Sequence, residues 1–147
     1  MEVKAGDNKT INLSDDNIVS IMKFNLDRGE TVQLTVTGHS MEPYLKEGRD
    51  KVFLRRIDTP PKKGDIVFFK RKSNAYVLHR VVKVKSDGWY FAADSHSGIE
   101  GPVTLDSMIA VSAYEERDGR LVRSGSPLRL YYRRIRGMFR KKRRVSL

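Results

Sequence analysis

The sequence predicts a mainly β domain with a short N-terminal helix and a basic C-terminal helix. Between residues 31 and 114, short runs of alternating or continuous apolar residues are separated by clusters of Gly, Pro, Asp and Asn, the pattern of strands joined by tight turns. At both ends the apolar period lengthens to that of a helix. The 39% hydrophobic content over 147 residues suffices for one compact core and is too little for two ordinary domains. The expected division is a helical extension over 1–30, a β-domain over 31–119 and a basic tail over 120–147.

Residues 14–29 read as the first helix. Ser14 suits its N-cap, Asp15 and Asp16 complement its positive end, Ile18, Ile21 and Met22 supply an apolar face, and Gly29 stops it. "TVQLTVTG" then alternates Val32, Leu34 and Val36 with polar residues, a half-buried strand ending at Gly38. Further strands are expected at 51–55, 65–70, 76–84, 89–93 and 108–114. The connection 94–105 is the longest irregular stretch, the kind of segment in which sites concentrate. From Ser126 and Pro127 onward, Leu128, Tyr132, Ile135 and Phe139 fall on one helical face and Arg129, Arg133, Arg136 and Arg140 on another.

Composition removes several chemistries. Without cysteine there is no disulfide framework, thiol nucleophile or thiolate metal site, and three scattered histidines are too few for a metal centre, so no metal and no cofactor is expected. The net charge of +11 is local, because residues 1–119 hold 18 basic against 18 acidic residues while 120–147 hold 11 basic and none acidic. The tail therefore reads as a docked helix with a solvated arginine face, or as a contact for an anionic membrane surface. Nucleic acid is the least favoured partner. No basic-then-apolar leader and no long apolar run appear, which makes a cytoplasmic protein, peripheral to a membrane at most, the expectation.

Two stretches carry chemistry. A serine hydroxyl attacks a carbonyl only with a base in reach and backbone donors aimed at the developing oxyanion. "GHSMEP" supplies a serine at a strand end, with Gly38, Ser40 and Met41 as the backbone expected to line the oxyanion and substrate site. "YVLHRVV" places His79 on the returning strand of a hairpin, 39 residues later. His39, by strand alternation, points away from Ser40. His96 lies in the 94–105 connection, and Trp89–Phe91 read as core strand.

Four blocks stand in order: "GHSMEP", "EGRDKVFL", "KKGDIVFF" and "YVLHRVV", followed by "FAADSHSGIEGPVTLDSMIAV". In these blocks, from about residue 32 to 111, the chain resembles the serine peptidases that comprise type I signal peptidases and LexA-like self-cleaving repressors. The histidine of "HRVV" is similar to the histidine-base branch of that family. The resemblance implies the signal-peptidase/LexA-like β-fold, with Ser40 as nucleophile, His79 as general base and Asp94 as the carboxylate that orients the imidazole. Asp106 is the second candidate for that last role. It further implies a serine endopeptidase acting on an extended peptide or precursor protein, as in leader removal. The alternative is a non-catalytic interaction or regulatory module on the same fold.

Overall fold

The computed structural model describes residues 2–5, 9–12 and 16–125, with side chains from residue 16 onward. The strands are β1 (Glu2–Ala5), β2 (Lys9–Asn12), β3 (Val32–Thr35), β4 (Lys51–Arg55), β5 (Ile66–Lys70), β6 (Tyr76–Lys85), β7 (Gly88–Ala92), β8 (Glu100–Val103), β9 (Met108–Arg117) and β10 (Arg120–Arg123). Helix α1 (Asp16–Asp27) lies between β2 and β3, and a 3₁₀ turn, Leu105–Ser107, precedes β9. The strands form one antiparallel sheet in the order β2-β1-β3-β4-β9-β5-β6-β7-β8, with β10 also on β9. The mainly β class with a short N-terminal helix is thus borne out. The amphipathic helix expected from Ser126, and the Ser14 cap, lie outside the described residues.

Helix α1 buries Val19, Met22 and Leu26, whereas Ile21, expected on the buried face, is 62% exposed. A stripe through Ile18 and Ile21 would run on into Asn25, while Val19, Met22 and Leu26 stay apolar to the last turn. The helix ends at Gly29 in the left-handed region (φ 80°), where Gly29 N–H donates to Leu26 O and Glu30 N–H to Asn25 O. That double closure satisfies carbonyls that no further helical turn would reach.

The core lies on both faces of the sheet. On one side Leu34, Leu54, Ile66 and Phe68 pack with α1 and with Met41, Tyr44 and Leu45 from the segment after β3. On the other, Val67, Phe69, Val81, Phe91, Met108 and Val111 form a second cluster. Strand β5 feeds both, which is why it reads as the unbroken run "IVFF" and not as an alternation. Four strands escaped the sequence reading. β1, β2 and β10 are short and largely polar, and β8 contains Pro102, which lacks a donor and is tolerated because β8 ends the sheet. Since β1 pairs with β3 and β10 with β9, the sheet reaches into both segments expected to be extensions.

Candidate active site

Ser40 occupies the turn after β3. Gly38 there has φ 75°, a conformation suited to glycine, and the chain folds back as Glu42 N–H donates to His39 O and Leu45 N–H to Met41 O. Burial of Met41, Tyr44 and Leu45 anchors the turn and leaves Ser40 half-buried. The carbonyl of Ser40 accepts the Ser95 N–H at 2.9 Å, which ties the turn to the connection after β7. Among the described residues the Ser40 hydroxyl has no hydrogen-bond partner, and the N–H groups of Ser40 and Met41 donate to no backbone carbonyl.

His79 lies in β6 opposite Val67 of β5, with its ring edge-on to Phe69 at 6.2 Å between centroids. Its side chain is 9% exposed. Nδ1 lies 2.8 Å from Glu100 Oε1, and Nε2 has no partner among the described residues. Glu100 is in turn gripped by a two-pronged Arg71, Nη2 to Oε1 at 2.8 Å and Nε to Oε2 at 2.9 Å. Such a fork fixes the plane of the carboxylate as well as its position.

Electrostatics set the proton inventory. Burial would raise the Glu100 carboxyl, but the bonds from Arg71 and His79 outweigh it and hold it below the ordinary carboxylate value. An ionised carboxylate only accepts, so the proton of this contact resides on His79 Nδ1 and the lone pair faces out at Nε2. For His79, burial is the largest influence and lowers its pKa; Glu100 and the more distant Asp94 push the other way without reversing it. Arg71 adds to the lowering. Neutral pH therefore finds His79 uncharged, as a general base must be.

Asp94, expected to orient the imidazole, is bonded to Arg80. It forms a double pair with Arg80, Nε to Oδ1 at 2.8 Å and Nη2 to Oδ2 at 2.6 Å, and Arg80 Nη1 also donates to Gly64 O. Strand parity explains the correction. In β6 successive side chains point to opposite faces, and Arg80 is paired with Ala92 in β7, so two residues on Asp94 emerges on the Arg80 side. Phe91 is paired with both Val81 and Glu100, which brings Glu100 to the side of Val81 and His79. The acid bonded to His79 is thus Glu100, six residues after Asp94, at the start of a strand the sequence did not reveal.

Arg80 and Asp94 support the serine turn instead. The guanidinium groups of Arg80 and Arg117 each lie over the Tyr44 ring, at 4.9 and 4.2 Å from its centroid, and Arg117 Nε donates to Tyr44 O. Asp94 adjoins Ser95, the residue bonded to Ser40. Because both partners of the Arg80 pair are buried, removing one charge strands the other. Asp94→Asn is expected to destabilise the fold by about 3 kcal/mol, the usual scale for breaking a buried pair, read as a lowered denaturation midpoint. An unchanged midpoint would mean that Arg80 finds compensation.

The remaining candidates fall outside the site. His39 is exposed between Glu42 and Glu47, at 2.9 and 3.2 Å, and its pKa is raised first by the Glu42 bond. His96 is exposed beside the Ser95 hydroxyl. Asp106 is exposed on the 3₁₀ turn, where the Thr104 side chain lowers its pKa. Trp89 is core strand as expected, its indole N–H donating to Pro61 O. No helix among the described residues is long and apolar enough to cross a membrane.

No curated protein matches the chain. A family model does, that of the S24-like peptidases, over residues 1–113. The matched span runs from β1 into β9 and contains Ser40, His79, Asp94 and Glu100. The chain belongs to the Peptidase S24-like family.

Proposed function

We propose that this chain is a serine peptidase in which Ser40 is the nucleophile, His79 the general base and Glu100 the orienting carboxylate. The observation that carries this reading is the 2.8 Å contact between His79 Nδ1 and Glu100, with Nε2 left unpartnered on an imidazole that burial keeps neutral. Nε2 takes the Ser40 proton as Oγ bonds to the scissile carbonyl carbon, and the imidazolium so formed is stabilised by Glu100. The N–H groups of Ser40 and Met41 are the donors offered to the oxyanion. Collapse breaks the C–N bond, His79 gives its proton to the leaving amine, and a water deprotonated by His79 then hydrolyses the acyl-serine ester. The substrate is an extended peptide, bound through backbone hydrogen bonds along the strand end that leads to Ser40.

A second reading, a silent interaction module, is favoured by two features: Ser40 and His79 share no direct hydrogen bond, and the serine turn packs with Leu78 in one core cluster while His79 lies against Phe69 of the other. Catalytic hydrogen bonds commonly tighten only when substrate is bound, so that gap is compatible with either reading. A serine-directed phosphonate probe separates them. Labelling of the wild-type protein, lost in Ser40→Ala, supports the peptidase, and absence of labelling on the folded wild-type chain overturns it.

A further inference from the structure

We infer that the groove beside the β5–β6 turn, which adjoins the Arg71–Glu100 pair, is a docking site for an acidic segment of the peptide substrate; the inference rests on the peptidase reading above. The groove encloses about 770 Å³ between that turn and the stretch from β8 to the 3₁₀ turn. Phe69, Val103 and Ile109 supply apolar lining. Lys23 from α1 and Lys70, Arg71 and Lys72 from the end of β5 supply cations, against two acids, Glu100 and Asp106. Arg71 is committed to Glu100, and Lys70 lies 3.6 Å from Asp16. Lys23 and Lys72 are exposed and form no ion pair among the described residues. Residues 1–119 carry equal numbers of basic and acidic side chains, so a positive groove is a local arrangement and not a share of a general excess.

The lining selects the occupant. A nucleic-acid backbone presents phosphate without apolar side chains and would leave the apolar lining unfilled. An extended peptide that alternates acidic and apolar residues fits both surfaces, because successive side chains point in opposite directions, one set toward the lysines and the other toward the half-buried Val103 and Ile109. Glu100 and Arg71 line the same groove, so a docked segment lies next to the pair that holds His79.

The test uses full-length Ser40→Ala protein and a short fluorescent peptide alternating Asp and Leu, with an Asn/Leu twin, read by anisotropy. The acidic peptide is expected to bind about tenfold more tightly than its twin, an advantage that fades with salt. Lys23→Glu combined with Lys72→Glu should remove that advantage. Lys62→Glu combined with Lys63→Glu, on a different groove of the sheet, should leave it. Equal losses from the two reversals would show mere attraction to a cationic chain, and equal binding of the twin, or stronger lysine-dependent binding of single-stranded DNA, would also overturn the proposal. Binding here needs no turnover, so failure of this test and failure of probe labelling at Ser40 are distinguishable.

Discussion

Ser40→Ala and His79→Ala are each expected to lower peptide hydrolysis by roughly 10⁶-fold, and the double variant to lose little more, because a nucleophile and its base act as one unit. Without Oγ there is no atom to form the acyl intermediate. Without Nε2 the hydroxyl keeps its proton at neutral pH and is a poor nucleophile. Neither loss should come from unfolding. Ser40 is held through its carbonyl, on the Ser95 N–H, and its hydroxyl bonds to nothing among the described residues. When His79 is truncated, Glu100 keeps both bonds to Arg71. Melting curves of the two variants check this, and turnover on a peptide substrate is the readout. Wild-type turnover in either variant would remove that residue from the mechanism, and additive losses in the double variant would mean that the two act independently.

The residues that define the sheet were legible where one face or both are buried. Strand β4 falls at 51–55 as its alternation requires, and β5 announces itself by four consecutive apolar residues because it contacts both halves of the core. Strand β8 was not legible, since "EGPV" has neither alternation nor a continuous donor row, and its pairing depends on how the chain returns after residue 94. That one missed element hid the acid that bonds His79. The adjacency of His79 and Arg80 held the correcting signal: neighbours in a strand face opposite ways, so an acid pairing with one is ill placed for the other. Nothing local in the sequence marks Arg71 as the partner of Glu100, because 29 positions and two strands, β6 and β7, separate them. Ser40 and His79 stand out in the sequence because their types and surroundings suit the chemistry, whereas the carboxylate bonded to His79 is chosen by register.

Glu100→Gln is expected to lower turnover by about 10⁴, the cost of the corresponding amide replacement in serine triads, while leaving stability nearly unchanged. An amide can present its NH₂ to His79 Nδ1, which favours the wrong tautomer, and it no longer supports the imidazolium. The stability cost is small because Glu100 and Arg71 are about one-third exposed and Arg71 can turn to water. The pH profile gives an independent sign. In the wild type Glu100 raises the His79 pKa and Arg71 lowers it; removing the anion leaves the cation unopposed, so the acid limb of kcat/KM should move to lower pH. Arg71→Ala should move it to higher pH. Asp94→Asn supplies the contrast, with its main effect on the denaturation midpoint. If Asp94→Asn instead carried the 10⁴ loss in turnover and Glu100→Gln unfolded the protein, the two acids would have exchanged roles and the strand-parity argument that separates them would be wrong.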